Sequence, residues 1–416
     1  MIRVAAGLTG VFTFLLQHNT VLTFGGSLAE GTGLYLFGPP LRTASRLSKC
    51  GPQGPARHIS LNCWAHRCVP PDRTLADRGF TLKFFGFLFS CLLILLPAAT
   101  PAGALDKVTF ATNWLAEAEH GGFYQAKADG TYEKYGLDVT ILQGGPNANN
   151  RLLLAAGKVE FDLGANLIQA FDSVAGDVPI VAVASLFQKD PFILMSHPGV
   201  GLDRMEDLPK AATAYIGKDG FVSVYQWLKL AYGFKDEKVR PYTFNSAPFI
   251  TDKNSIEQGY VTSEPFEVER QGGFKPNVFL AADYGYDSYS TTIETTRDII
   301  EKNPDLVQRF VDASIIGWYN YIYGDNRAAN ELIKRDNPDI SDDQLAYSRA
   351  KMKEYGIVDS GDALTLGIGA MRDARVKSFF GKMVDAGLFK PYLDYKRAYT
   401  LQFIGRGVGL ELRPHQ

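Results

Sequence analysis

From residue 105 onward, apolar residues recur with two periods that take turns along the chain. They alternate with polar ones through 105–113 and through Leu137-Asp138-Val139-Thr140-Ile141-Leu142, the pattern of half-buried strands. Between these runs, 120–135 reads as a helix closed by Gly136 at its C-cap. A helix capped by Asn149 or Asn150 and holding Arg151-Leu152-Leu153-Leu154 comes next. A short buried strand at 161–164, a helix at 168–175 and β-rich runs at 179–186 and 192–195 follow. After a helical turn at 203–209 a second series begins: strand 212–216, helix 221–232, strand 239–244, helix 250–258, and strands 259–262 and 278–281. Past Asp283 the chain is expected to return to the first series. It then ends in helices at 306–323, with Pro304 in the first turn, and at 326–335, 341–355 and 370–386. Strands alternating with helices predict a βαβ sheet, and two such series predict two lobes. The first lobe is expected to hold 105–196 and 284–416, the second 197–283, with hinge crossovers near 195–198 and 281–284.

One stretch organises this pattern. The strand at 105–113 ends at Asn113-Trp114, a loop with Glu117 and Glu119 follows, and helical spacing resumes at His120. The C-terminal end of a strand that feeds a loop and a helix is where open α/β sheets bind ligands. An aromatic ring beside an amide suits a small planar molecule, although Trp114 could equally be core and Asn113 could satisfy a turn. Glu117 and Glu119, two apart on a loop, read as solvated. Glu264, after a buried-looking strand and before Pro265, reads either as a loop carboxylate or as an acceptor for ring N–H and amino groups. The glycine loops Gly144-Gly145-Pro146 and Gly217-Lys218-Asp219-Gly220 offer free N–H groups to an anion or serve as ordinary turns.

The first hundred residues differ from the rest. Arg78 and Lys83 precede the apolar run from Phe84 to Leu96, and Ala102-Gly103-Ala104 follows, so 76–104 reads as a secretory signal peptide. The apolar run falls short of the ~20 residues that span a bilayer. Signal peptides begin chains, so residues 1–75 read as a non-native or disordered extension, with translation starting near Leu75 or Leu82. A peptide from residues 1–70 recovered from the native precursor would exclude that start. All four cysteines (Cys50, Cys63, Cys68, Cys91) precede Leu105, and Cys63, His66 and Cys68 lack the second pair of a metal site. A mature chain from 105 must therefore rest on its core rather than on disulfides. Removing 1–104 takes nine of the 43 basic and three of the 45 acidic residues, leaving 34 against 42. An acidic surface argues against nucleic acid and anionic membranes as partners. No Ser-His-Asp order, zinc spacing or P-loop stands out.

Asn113-Trp114 with His120, Gly136-Leu137-Asp138-Val139, Gly157-Lys158-Val159 and Phe161-Asp162-Leu163-Gly164 resemble the periplasmic receptors of ABC importers that bind thiamine pyrimidine precursors. Relatives of those receptors bind sulfonates, taurine or nitrate. The resemblance continues through Gly259-Tyr260-Val261-Thr262-Ser263-Glu264-Pro265-Phe266 and Lys302-Asn303-Pro304-Asp305-Leu306-Val307, spanning 107–325. It implies an α/β, type II periplasmic binding protein fold of two lobes with a hinge. It also implies a monomeric receptor without cofactor or metal, whose partners are a small-molecule ligand and the permease and ATPase of the importer. The ligand-binding residues expected from it are Asn113, Trp114, His120, Tyr124, Asn166, Tyr260, Glu264, Tyr286 and Tyr289. Lobe packing is the competing reading for Tyr124 and Tyr260. The same superfamily contains the fungal pyrimidine synthases, whose chemistry needs a pyridoxal-phosphate lysine, a histidine and a cysteine-rich iron loop. Counting from Phe161, the lysine position falls on Asn166, the histidine position on Ala170 and the cysteine loop on Tyr286-Asp287-Ser288-Tyr289-Ser290. Without the lysine there is no Schiff base, and without thiolates no soft site for iron.

Overall fold

A computed structural model describes residues 10–16, 20–26, 104–145 and 148–414. The proposed extension (apart from those two short strands), the signal peptide and all four cysteines lie outside the described residues. The chain divides into two units, Met1–Leu96 and Pro97–Gln416. In the first, Gly10–Leu16 and Thr20–Gly26 form an antiparallel hairpin. Among the described residues no helix is long and apolar enough to cross a membrane.

The second unit holds two five-stranded sheets. Its strands are β1 (Asp106–Ala111), β2 (Leu137–Leu142), β3 (Phe161–Asn166), β4 (Ile180–Phe187), β5 (Phe192–Ser196), β6 (Thr213–Ile216), β7 (Val239–Pro241), β8 (Ser255–Tyr260), β9 (Asn277–Leu280) and β10 (Ser290–Thr296). The first sheet runs β2-β1-β3-β10-β4 and the second β9-β5-β8-β6-β7. Strands β1, β2 and β3 are parallel, whereas β10 is antiparallel to both neighbours. The larger helices are α1 (Gly121–Ala128), α2 (Leu167–Ala175), α3 (Val224–Tyr232), α4 (Glu264–Gly272), α5 (Pro304–Tyr323), α6 (Arg327–Asp336), α7 (Asp342–Glu354) and α8 (Asp373–Asp385).

Helix α5 shows why the first lobe coheres. Val307, Phe310, Val311, Ser314, Ile315, Trp318 and Ile322 recur at spacings of three and four and are all buried. Phe310 stacks on Phe161 of β3 at 4.1 Å, while Trp318 meets Phe123 of α1 edge-on at 6.0 Å. Phe123 in turn packs against Phe110 of β1 at 4.4 Å. This aromatic column fixes α1, and with it the loop that precedes α1.

Several expected elements are corrected. Strand β5 belongs to the second sheet, paired with β8 and β9, so the first crossover is 188–191 rather than 195–198. A fully buried apolar run has the same appearance in either lobe; only its pairing decides. The helix expected at 250–258 is a turn of helix, Ala247–Thr251, followed by β8. β8 is central and covered on both faces, which hides the period of two. The strand expected at 259–262 therefore ends at Tyr260, and α4 follows where no helix was expected. Strand 239–244 shrinks to Val239–Pro241, and helix 221–232 breaks at Ser223. Helix 120–135 breaks at Gly130, whose φ of 71° is left-handed. The return to the first lobe is made by β10, inserted between β3 and β4.

Candidate functional site

The loop between β1 and α1 is pinned from beneath. Thr112 Oγ1 donates to the Trp114 carbonyl at 2.9 Å, and the Gly144 N–H donates to the same oxygen at 3.0 Å. A Cβ at Gly144 would stand 2.5 Å from the Thr112 carbonyl oxygen, so this close approach needs glycine. The Ala116 N–H donates to Gln143 at 3.0 Å and its carbonyl accepts from Asn337 at 2.8 Å. Of the two glycine loops, one thus positions Trp114. In the other, the Gly217 N–H is taken by Gln258 at 2.9 Å.

On this platform His120 is buried, with Nε2 3.3 Å from Asn113 Oδ1. Burial pushes the imidazole down to about 3, against a backbone hydrogen bond to Leu115, which keeps it neutral. Trp114 is half-buried and reaches the second lobe, its ring 4.4 Å from that of Phe244. Phe244 is 53% exposed and sits at φ 60°, a left-handed conformation that a bulky residue rarely adopts. Sequence reasoning missed Phe244; a strained aromatic in a loop after a short strand leaves no mark in the hydrophobic pattern.

The second lobe presents the end of β8 and the start of α4. Glu264 is the first residue of α4 and folds back, accepting from the Tyr260 N–H at 2.7 Å and from the Tyr242 hydroxyl at 3.1 Å. Burial raises its pKa. Tyr260 is half-buried, and burial, then the charges of Asp190, Glu117, Glu119 and Glu264, holds its hydroxyl well above the ordinary value. Carboxylates of both lobes therefore surround this one phenol.

Glu117 and Glu119 are not solvated. Glu119 is 5% exposed and accepts a hydrogen bond from the Thr262 hydroxyl across the lobes. Burial pushes it up to about 7, and burial followed by the charges of Glu119 and Glu264 holds Glu117 well above the usual carboxylate range. The fold explains the discrepancy: the loop is exposed in its own lobe, and the second lobe covers it. Helix α7 strengthens the junction, since Ser348 and Gln344 donate to the Thr262 carbonyl at 2.6 and 3.2 Å. Tyr347 of α7 also packs on Phe266 of α4 at 5.3 Å.

The remaining expected contacts divide. Asn166 caps α2 through the Ile168 N–H, and its amide donates to Asp190 at 3.3 Å. Asp190 lies on the crossover, and burial pushes it up to about 6. Tyr286 is buried between Trp227 and Phe379, and burial, then the charges of Asp190 and Tyr260, holds its hydroxyl well above the ordinary value against a hydrogen bond to Ser288. Tyr124 is committed to its own lobe, donating to Asp336 at 3.0 Å. Tyr289 is turned toward the C-terminal segment: its hydroxyl donates to Asp362 and accepts from the Arg372 N–H, and Arg375 lies over its ring at 4.0 Å. The structure thus gathers Asn113, Trp114, His120, Tyr260 and Glu264 with Glu117, Glu119 and Phe244. Asn166 and Tyr286 lie at the adjoining crossovers, and Tyr124 and Tyr289 lie elsewhere. Among the described residues no group of three or more His, Cys, Asp and Glu is arranged to hold a metal ion.

Comparison with known proteins adds four findings. A family described as NMT1/THI5 like matches residues 117–328. The riboflavin-binding protein RibY of Chloroflexus aurantiacus is 26% identical over 341 residues, covering 75% of this chain and 92% of that protein. The 4-amino-5-hydroxymethyl-2-methylpyrimidine phosphate synthase of Schizosaccharomyces pombe is 27% identical over 222 residues, covering 50% of this chain and 63% of the synthase. Among solved structures, the periplasmic sulfonate-binding protein SsuA of Methylobacillus flagellatus superposes with a TM-score of 0.54 at 13% identity, covering 74% of this chain and 95% of that one. At that identity the likeness concerns the fold alone: a periplasmic binding protein fold of two lobes.

Proposed function

Because this chain belongs to the NMT1/THI5-like family, we propose that it is the solute-binding receptor of an ABC importer. Its ligand would be a small nitrogen heterocycle held between the lobes, a thiamine pyrimidine precursor such as a hydroxymethyl- or formylaminomethyl-pyrimidine. The observation that supports this most is the meeting of Trp114, beside Asn113 in one lobe, with Phe244 of the other, whose ring lies 5.3 Å from that of Tyr242, the hydrogen-bond donor to Glu264. Two aromatic rings offer stacking faces, an amide can both donate and accept, and a carboxylate accepts from ring N–H and amino groups. Ligand binding would favour the population in which the lobes meet. Segment 76–104 would direct the chain to the periplasm, where the loaded receptor docks onto a permease and its ATPase.

The receptor reading is preferred to the synthase reading on particular residues. Asn166 stands where the resemblance requires a Schiff-base lysine, and it serves instead as a helix cap and a partner of Asp190. Sulfonate, taurine and nitrate are disfavoured because their anionic heads would face Glu117, Glu119 and Glu264. A flavin is the second reading, favoured by the Chloroflexus relative, whose length is matched almost throughout.

Thermal shifts against hydroxymethyl- and formylaminomethyl-pyrimidine, thiamine, riboflavin, taurine, an alkanesulfonate and nitrate test the proposal. A binder at 100-fold excess over its Kd stabilises by about 2.7 kcal/mol. Glu264→Gln is expected to weaken the pyrimidine about ten- to a hundredfold, the range of a hydrogen bond to a charged group. A shift with riboflavin alone would move the proposal to the flavin. A shift with the sulfonate alone would discard both.

A further inference from the structure

We infer that Arg375 of α8 is a positioning residue that fastens the two crossovers to one another and so sets how closely the lobes meet over Trp114. The inference rests on the reading of a ligand held between the lobes and names the part of the chain that governs their approach. The chain passes between the two sheets at 188–191 and again, between β9 and β10, at 281–289. Arg375 bonds to both passages at once. Its Nη2 donates to the Gln188 carbonyl of the first. Its Nε and Nη2 donate to the Asp287 and Ser288 carbonyls of the second at 3.0 and 3.3 Å. A guanidinium presents its N–H donors in a rigid planar fork, so one side chain can hold three carbonyls in one relative arrangement. A lysine there would offer only a compact ammonium on a flexible stem.

Helix α8 is itself rooted in the first lobe. Phe379 and Phe380 pack on Phe171 of α2 at 6.4 and 5.2 Å. Phe379 also meets Tyr286 of the second crossover edge-on at 5.3 Å, and Tyr286 lies 5.3 Å from Trp227 of α3 in the second lobe. An aromatic row therefore runs from one lobe through the crossover into the other. Further along α8, Lys382 donates to the Gly285 carbonyl at 3.0 Å and to Asp287 at 2.8 Å. The segment before α8 grips the first crossover as well. The Gln188 and Lys189 N–H groups donate to the Ile357 carbonyl at 2.6 and 3.2 Å, and the Gln188 side chain donates to the Ala370 carbonyl at 2.9 Å.

None of the Arg375 hydrogen bonds reaches Trp114 or Phe244, so its influence on the site passes through the crossovers. Gln188 and Ser288 are buried, and without Arg375 their carbonyls would lose a donor that water can replace only if the strands part. The lobes would then turn about two separate strands rather than one fastened pair, and the population in which they meet would fall.

The contact of Trp114 with Phe244 across the lobes, ring centroids 4.4 Å apart, supplies a readout that needs no ligand. Acrylamide quenching of tryptophan fluorescence in the full chain, with and without Trp114→Phe, separates Trp114 from the other tryptophans. In Arg375→Met the Trp114 part is expected to become about twice as quenchable, as an open population comparable to the closed one would make it, with far-ultraviolet circular dichroism unchanged. Arg375→Lys should fall between this variant and the unaltered protein. Lys377→Met, exposed on the same helix, should match the unaltered protein. A residue that only braced α8 would lower the urea midpoint and leave Trp114 as shielded as before. Unchanged quenching in folded Arg375→Met overturns the inference, and Arg375→Lys decides in the same way if the first variant does not fold. An equal rise in Lys377→Met, or loss of fold in both Arg375 variants, overturns it too. No ligand enters this measurement, so a ligand panel in which nothing binds leaves it decisive, and an unchanged Trp114 leaves the receptor reading to that panel.

Discussion

Gly317→Val is expected to unfold the unit Pro97–Gln416 or to leave it marginal. Helix α5 crosses α1 at this glycine, and a Cβ there would stand 2.2 Å from the Gly122 carbonyl oxygen and 2.7 Å from Ala126 Cβ. The obstacle is backbone, so no side-chain rotation relieves it. From the other side, a Cβ at Gly122 would enter the Trp318 ring at 2.2 Å. Overpacking of this kind costs about 1–3 kcal/mol and more where the backbone must shift, so about 3 kcal/mol or above is expected. Total stabilities run at roughly 5–15 kcal/mol, so a loss of this size dominates the outcome. Urea unfolding followed by far-ultraviolet circular dichroism measures it. An unchanged midpoint would show that the two helices do not approach so closely. The effect on the site should be as large, because α1 begins directly after Glu119 and His120.

Ligand-free protein is expected to lose stability as pH rises from 6.5 to 8. Burial raises Glu257 to about 8 and Glu119 to about 7, against about 4.5 in an unfolded chain. In this window the folded state holds more protons than the unfolded state, so stability falls with rising pH. His120 works the other way, but only lower down. Its folded value of about 3 lies beneath the ordinary 6.5, so it adds stability as pH rises from 3 to 6.5 and nothing further above. Asp190, at about 6, is already ionised by the start of the window. One pKa unit is worth 1.36 kcal/mol, which makes the loss about 2 kcal/mol between pH 6.5 and 8. Glu257→Gln should flatten most of the slope, since Ser246 donates to its Oε1 at 2.6 Å while its Oε2 has no partner. Stability that is flat or rising across the window would mean these carboxylates are compensated.

What was legible along the chain is what local periodicity encodes. The alternation at β2, the capped helix after Asn149, whose Oδ1 accepts from the Leu152 N–H, and the amphipathic α5 follow from spacing alone. Two α/β series implied two lobes, and Asn113-Trp114 after β1 stood out because a strand end that opens into a polar loop is a local feature. Pairing was not legible. Phe192–Ser196 is apolar on both faces, and only its hydrogen bonds to β8 and β9 assign it to the second sheet. The junction was not legible either. Glu117 and Glu119 are two polar residues on a loop, and their burial exists only because Thr262 and Tyr260 arrive from a segment some 140 residues away. Phe244 joined Trp114 by the same route. Secondary structure depends mostly on neighbours in sequence, so the chain by itself determined most of the elements and, through two α/β series, the fold class. Burial and pKa depend on neighbours in space, so only the tertiary structure decided that Glu119, on a loop that reads as solvated, is buried where the two lobes meet.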